Sequence, residues 1–589
     1  MRRFALILLV QMAFTGVQVH AQAFLKMLQP TRTEINTNTA RQFMSGRTCV
    51  GCKVLLNNDS IHVYPNGVFA LKRDLKPGKT LLVLSSTDST GKFVSRTYNY
   101  YFNPPPPLKV TPSFRIDYVT ISPKTNTIVS PGDTLRVRMK GYPGGKATWF
   151  NSEPLSELPA DQTSGIPGFY TGLHVVTEAD SLLNNRISVT LRDRSGATAV
   201  LPGTYRYTYQ RNQLLVGRTI DDQTFVTVSP EGDRLGPEKA GYLDKNVLLR
   251  ITGKEGSHYK VQLSSKRFVY IPEGLVDTAT LAEPAPLNII DTVKVWGDDK
   301  YDYISIVLSE KLPYLSTQEV GPGRIIVDVH GAYSEPDLVP ELQSTGEISK
   351  IGWQQTEPDV FRIAISLKHA QPWGYKIYYN GNTLMVRVKR QPASLLLKDL
   401  VIGLDAGHGG GNVGAVGPMG VYEKQLTLSL AMLVKVALEK DGARVITTRM
   451  SDQFVDNQDR LLNYRQLSPD LLLSIHMNSS VNPVDVKGTA TYYKHPFCEP
   501  LNRYIHNRLL ETGLGDFKNN ANFNFILNQP TEFPNALIET LFLSYPEDEM
   551  KILDENFRLL LADKIVQGVK DFLQASEEDD SKIQSSTIQ

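Results

Sequence analysis

Four side chains in the last third of this 589-residue sequence are of the types that metal-assisted hydrolysis uses. His408 stands in the glycine-rich run Asp405-Ala406-Gly407-His408-Gly409-Gly410-Gly411-Asn412-Val413-Gly414, and Glu423 follows it by 15 residues. His476 ends the run Ser474-Ile475-His476, and Glu539 closes the apolar run Ala536-Leu537-Ile538. Two imidazoles and one carboxylate form a catalytic zinc set, because three protein ligands leave a fourth position for water. Zinc lowers the pKa of that water and polarises a carbonyl oxygen. Glu539 is the candidate base, since a charge at the end of an apolar strand is costly in a dry core and cheaper at an edge that faces a site. Taken singly, each residue has a plainer reading: a loop histidine, a helix-start carboxylate favoured by the dipole, a hydrogen-bonded core histidine and half of an ion pair.

Two other motifs compete for attention. Gly409, Gly411 and Gly414 satisfy a G-x-G-x-x-G pattern, but a nucleotide loop needs a helix to start at once, and Gly417, Pro418 and Gly420 follow instead. The second strand also ends in Thr447-Thr448-Arg449, without the acidic residue that would hold a ribose. Cys49 and Cys52 have C-x-x-C spacing, open to a small disulfide, a redox pair or half of a zinc site, and Cys498 is the leftover thiol. No second C-x-x-C exists to complete a four-cysteine site.

The elements that must position the four residues read as an α/β domain over 397–575. Val401 to Leu404 is a buried-type strand, Glu423 to Asp441 carries leucines at helical spacing, and Arg444–Thr448, Leu471–Ile475, Thr489–Tyr493 and Ala536–Glu539 read as further strands. Helices are expected near Pro500–Leu514 and Glu555–Gln574, around a mostly parallel sheet. In such sheets ligands sit beyond the carboxyl ends of the strands, which places His408 and His476 on one edge. Upstream the text is β-rich in four modules: a sandwich-like unit over 24–102, an immunoglobulin-like unit over 111–210, a small barrel resembling bacterial Src-homology type over 214–276, and a unit over 287–390 that looks like wall-targeting domains. The run Pro104 to Pro107 marks a stiff connector. Arg2 and Arg3 before a mixed apolar stretch read as a signal peptide over 1–21, so export to the periplasm or cell envelope is expected, with no transmembrane span after its removal. The acidic end, 576–589, is expected to be a disordered tail. Lys plus Arg number 63 and Asp plus Glu 61, a balance that excludes a strong field for nucleic acid.

Together, LDAGHGG, GVYEKQLTLSLA, TRMSD, SIHMNSS, KGTATYY and ALIETLFLSYPED, in that order, resemble the zinc-dependent N-acetylmuramoyl-L-alanine amidases, cell-wall hydrolases of the third amidase type. The resemblance covers about Leu400 to Leu573. It implies one Zn2+ on His408, Glu423 and His476, with Glu539 as catalytic carboxylate. It further implies that a zinc-activated water attacks the amide joining the lactyl group of muramic acid to L-alanine, Glu539 moving the proton to the leaving amine. Peptidoglycan is the implied partner, with a protein activator or division partner left open. The sequence departs from the family pattern at Ala406, Leu541 and Tyr545, and a leucine in place of glycine at 541 is expected to narrow the floor of the site or alter strand packing. The separation of 63 positions from His476 to Glu539 is too short for the inhibitory helix that some division-associated members insert there. Arg449, Asp452 and Arg460 could bind peptide carboxylates or pair with one another, the pairing being favoured, and Trp149, Trp296, Trp353 and Trp373 are expected to be core residues rather than glycan platforms. Two rival readings are a wall-binding scaffold with an idle amidase domain and a zinc peptidase cutting within stem peptides.

Overall fold

The computed structural model describes residues 22–105, 109–181, 184–209, 215–230, 235, 239–280 and 288–587. The signal peptide read at 1–21 lies outside the described residues. Among them, no helix is long and apolar enough to cross a membrane.

The C-terminal unit runs β1 (Val401–Ala406), α1 (Glu423–Lys440), β2 (Arg444–Thr447), α2 (Asn457–Leu467), β3 (Leu471–Asn478), β4 (Thr489–Tyr492), α3 (Glu499–Leu510), β5 (Asp516–Asn520), β6 (Asn535–Phe542), α4 (Pro546–Leu553) and α5 (Glu555–Thr587). Its sheet has the order β2-β1-β3-β6-β4-β5. β1 pairs in parallel with β2 and β3, and β3 with β6, whereas β4 runs antiparallel to β6 and parallel to β5. The central strands are apolar nearly throughout because both of their faces are covered. Leu471, Leu473 and Ile475 face a core closed by Leu430, Val434 and Leu438 of α1 and by Leu561, Ile565 and Val569 of α5. Leu472 faces the other way, into a smaller cluster with Leu461 and Tyr464 of α2 and with Phe533. Alternation along β3 thus splits one leucine run between two layers. Helix α1 buries a stripe at i and i+4 and stops at Gly442, whose φ of +90° a side chain would disfavour. Helix α2, which the hydrophobic pattern does not reveal, begins at Asp456, whose carboxylate accepts from the Gln458 N–H at 2.8 Å.

The upstream β units each hold a core of their own. Residues of the first form a three-stranded and a five-stranded sheet around Met44, Phe69 and Tyr98. In the second, seven strands between Ile116 and Pro202 form two antiparallel groups that share Glu153–Glu157 and enclose one core, and Thr127–Val129 and Tyr207–Tyr209 pair outside them. Thr127–Val129 instead pairs with Leu248–Glu255 of the next unit, so the sheet built from residues 215–280 borrows two strands from its predecessor. The fourth unit packs a five-stranded sheet on a four-stranded one around Ile304, Val327, Phe361 and Val386.

The acidic end corrects its sequence reading. Helix α5 continues through the acidic run to Thr587, and the Asp580 side chain is buried, accepting from the Ala370 N–H at 3.0 Å and from Gln391 Nε2 at 2.8 Å. Two hydrogen bonds to the fourth β unit hold what composition alone reads as solvated chain. That seam continues with Gln371 Nε2 donating to the Phe497 carbonyl and Tyr375 N–H to the Thr531 carbonyl, at 2.8 and 2.7 Å. The first β unit also touches the catalytic one, through Lys72–Asp485 at 2.9 Å and Gln29 Nε2 to the Val481 carbonyl at 3.1 Å.

Candidate active site

The carboxyl ends of β1 and β3 bring three of the four sequence candidates together. Ligand atoms of His408, Glu423 and His476 lie within 4.8 Å of one another. His408 Nε2 is 3.0 Å from Glu423 Oε2, and His476 Nδ1 is 3.1 Å from Glu423 Oε1. The carboxylate is fixed by the backbone as well: the Ala415 N–H donates to Oε2 at 2.7 Å and the Met477 N–H to Oε1 at 3.0 Å. Glu423 opens α1, where the helix dipole favours an anion. Burial pushes its pKa up, but the His408 and His476 hydrogen bonds and charges outweigh that and hold it well below the usual carboxylate range. Burial likewise pulls His476 down, and the Glu423 contact together with the Glu539 charge reverses the sign, raising it to about 9.

Glycines in the loop are dictated by the candidate ligands they touch. A Cβ on Gly407 would stand 2.3 Å from His476 Cε1. One on Gly414, where φ is +68°, would stand 2.4 Å from Glu423 Oε2 and 2.7 Å from His408 Cδ2. The G-x-G-x-x-G pattern therefore serves close approach of backbone to imidazole and carboxylate, and no helix follows it until Glu423.

Glu539 stands opposite His476 in the parallel register of β3 and β6. Its Oε2 is buried with no hydrogen-bond partner among the described residues. Burial, with a smaller push from Glu423, raises the carboxyl to about 7 against the opposing pull of His476. A carboxyl that titrates near neutrality beside a ligand cluster is matched to general-base work.

Sequence reasoning missed the part of Asn412 in holding this arrangement and gave Arg449, Asp452 and Arg460 other partners. His408 Nδ1 donates to Asn412 Oδ1 at 2.9 Å, which leaves Nε2 free toward Glu423. Arg449 and Arg460 do not pair with Asp452 or with each other, as the expectation had it. Arg449 is 2% exposed and donates to the carbonyls of Ala406, Gly407 and Lys424. Arg460 binds Asp405 Oδ1 at 2.6 Å and the His408 carbonyl at 2.6 Å, while Asp452 takes Lys424 Nζ at 2.6 Å and the Gly410 N–H at 2.8 Å. All three clamp the His408 loop, because free loop carbonyls and amides near a buried site need partners. No sequence period marks such side-chain-to-backbone bonds.

The departures from the family pattern leave the candidate ligands together. Leu541 is fully buried within the main core, so its bulk fills core volume. Ala406 contributes its carbonyl to the two arginines, and Tyr545 precedes α4 with its hydroxyl accepting from Lys487 Nζ at 3.3 Å. Between His476 and Glu539, helix α3 buries Leu501, Ile505 and Leu509 in the same core. Cys49 and Cys52 form a disulfide, and Cys498 is a free, fully buried thiol that burial pushes up to about 12. Trp149 and Trp373 are core residues, whereas Trp353 is 41% exposed and Trp296 stacks on Tyr303.

The donor set fits zinc: imidazole and carboxylate suit this borderline ion, and three protein donors leave room for water. Residues 402–571 match the family described as N-acetylmuramoyl-L-alanine amidase, and residues 292–388 match the AMIN domain. The chain is 31% identical over 246 residues to the probable cell wall amidase LytH of Staphylococcus saprophyticus, covering 41% of this chain and 78% of that protein. It is 25% identical over 373 residues to the N-acetylmuramoyl-L-alanine amidase AmiC of Neisseria meningitidis serogroup B, covering 48% of this chain and 89% of that one. A solved structure, the catalytic domain of the N-acetylmuramoyl-L-alanine amidase CwlV from Bacillus (Paenibacillus) polymyxa var. colistinus, is 31% identical, with a TM-score of 0.29, 30% of this chain and 98% of that chain covered.

Proposed function

Since the chain belongs to the N-acetylmuramoyl-L-alanine amidases, which hydrolyse the amide between N-acetylmuramic acid and L-alanine in peptidoglycan, we propose that His408, Glu423 and His476 are its metal ligands and Glu539 its catalytic base. The observation that carries this assignment is the meeting of two imidazoles and a carboxylate within 4.8 Å beside a carboxyl raised to about 7. A zinc ion held there supplies a Lewis acid that eases deprotonation of water and polarises the scissile carbonyl.

The chain's own residues do the rest. Glu539 takes a proton from the attacking water and passes it to the departing L-alanine amine, so the lactyl carbonyl carbon gains the water oxygen as the C–N bond breaks. Asn412 keeps the His408 proton on Nδ1, and Arg449 and Arg460 hold the loop that carries it. Module boundaries near 24–102, 111–210, 214–276 and 287–390 ahead of a catalytic unit at 397–575 fit a protein whose β units place the active site on the wall, in the periplasm or cell envelope, with peptidoglycan as partner. The buried hydrogen bonds that Gln371 donates to the Phe497 carbonyl and Asp580 accepts from the Ala370 N–H support a fixed seating of the AMIN-matching unit on the catalytic unit.

The test is digestion of purified peptidoglycan by the zinc-loaded protein beside Glu539→Gln. Release of intact stem peptides with a free L-alanine amine, absent from the variant, is the expected result. Equal silence of both proteins while both still sediment with the wall would favour the scaffold reading.

A further inference from the structure

A cavity of about 340 Å3 lies where three units meet, lined by Tyr242 and Asp244 of the third β unit, Tyr314 and Tyr379 of the fourth, and Arg465 and Lys494 of the catalytic one. Its volume is that of a small-molecule site. Lys494 lies two residues beyond Tyr492, which registers with Leu537, so the chain there has run back along β6 away from Glu539. The cavity therefore belongs to the edge of the sheet opposite the active site. It is also a built space: the adjoining seam is closed by paired hydrogen bonds between Tyr375 and Thr531, at 2.7 and 2.8 Å, and a Cβ on Gly374 would strike the Glu532 carbonyl at 2.2 Å.

The charges in the walls are unevenly satisfied. Glu532 is paired with Arg465 at 2.9 Å, Asp244 accepts from the Tyr314 hydroxyl at 2.9 Å, and Asp222 accepts from the Lys245 N–H at 2.8 Å. His495 Nε2 donates to the Gln529 carbonyl at 2.9 Å and stays neutral, burial and the Lys494 charge pulling it to about 3. The Lys494 ammonium sits 5.4 Å from the centre of the Tyr242 ring, and among the described residues no carboxylate is paired with it. The charge nearest in effect is of the same sign, Lys239, on the same tyrosine ring at 4.9 Å.

The geometry points to a second ligand site, in which Lys494 receives the carboxylate of a peptidoglycan fragment and Tyr242 and Tyr379 flank its body. Tyrosine faces suit the apolar side of a sugar or peptide, and both rings are fixed in place by their hydroxyls, Tyr379 on the Leu312 backbone and Tyr242 on Lys239. The inference rests on the amidase reading for the ligand's class, since both the lactyl group of muramic acid and the end of a stem peptide present a carboxylate. Burial and Lys239 lower the Lys494 pKa to about 7, so an arriving anion at pH 8 draws a proton onto the amine.

The test is calorimetric titration of the full, zinc-loaded chain at pH 8 with N-acetylmuramic acid and, separately, with the dipeptide D-alanyl-D-alanine, in two buffers of different ionisation enthalpy. N-acetylglucosamine, without the carboxylate, is the neutral control. At least one carboxylate probe is expected to bind with proton uptake. Lys494→Gln should weaken it tenfold or more and abolish the uptake, Lys494→Arg should retain the binding, and cleavage of a soluble muropeptide should stay within twofold in both variants. Which probe binds identifies the source of the carboxylate. Absence of binding by both probes, equal binding of N-acetylglucosamine, or unchanged affinity in Lys494→Gln overturns the proposal. Should Lys494→Gln fail to fold, the wild-type proton uptake and the Lys494→Arg titration decide it. A wild type that cleaves muropeptide but binds neither probe sinks the cavity alone. Binding through Lys494 by a protein that cleaves nothing sinks the amidase reading and leaves the cavity standing.

Discussion

Asn412→Ala isolates how much of the site depends on a residue outside the proposed ligand set. In the structure Asn412 Oδ1 accepts from His408 Nδ1 at 2.9 Å and, more weakly, from the Gly414 N–H at 3.3 Å. Removing the amide lets the imidazole rotate and exchange tautomers, so Nε2 is no longer reserved for a metal. Loss of an outer partner of a metal-ligating histidine lowers metal affinity by about 10–100-fold, or roughly 1.4–2.7 kcal/mol. Asn412 lies in a solvent-facing part of the loop, so global stability should change by less than about 0.5 kcal/mol. The assay is zinc competition against a chromophoric chelator, run beside thermal melting of the metal-free protein. Asn412→Asp, which keeps an acceptor at the same place, should recover most of the affinity. Zinc affinity within threefold of wild type in Asn412→Ala would refute the claim that this hydrogen bond orients His408.

Four further outcomes follow from the same geometry. Glu539→Gln should retain zinc within a few-fold while losing on the order of 100–10,000-fold in cleavage rate, measured on a soluble muropeptide. Gly414→Ala should lose zinc binding by equilibrium dialysis, because the added methyl occupies the space of Glu423 Oε2 and His408 Cδ2; wild-type affinity there would contradict the packing. Zinc affinity should climb about tenfold per pH unit toward about 9 and then level, since His476, raised to about 9, must give up its proton to a metal; a flat profile between pH 6 and 8 would contradict the pairing with Glu423. Stability of the metal-free protein should carry a component from Glu549, fully buried and raised from 4.5 to about 7 by burial, which the Met419 N–H and Arg47 only partly offset. The folded state holds that proton more tightly than the unfolded one, so stability falls as pH rises from about 4.5 to 7, by roughly 3 kcal/mol, and denaturant melts of Glu549→Gln should lack that slope.

The parts of the molecule that were legible in the sequence are those written as periodic or clustered residue types. Alternation and apolar runs marked β1, β3 and β6, the leucine stripe marked α1, and the glycine run marked the loop that carries His408. Helix α2 escaped because its buried face is only Leu461, Tyr464 and the aliphatic part of Arg460, set among Asn, Gln and Asp. The acidic end misled because local composition says nothing about Asp580 meeting Ala370 and Gln391, more than 180 residues upstream. In the second β unit, strand alternation fixes which face is buried, and it leaves open which sheet a short strand such as Thr127–Val129 joins. Arg449 and Arg460 looked like ion-pairing partners because carbonyl acceptors on another loop carry no sequence signature.

The most direct test of the amidase account is hydrolysis of a purified muropeptide in H218O, followed by mass spectrometry of both products. Attack on the lactyl carbonyl places one 18O in the muramic acid carboxylate and none in the released stem peptide, a gain of about 2 mass units on the sugar fragment alone. Label in a carboxylate of the peptide, with L-alanine still joined to muramic acid, would mean a peptidase and would contradict the account.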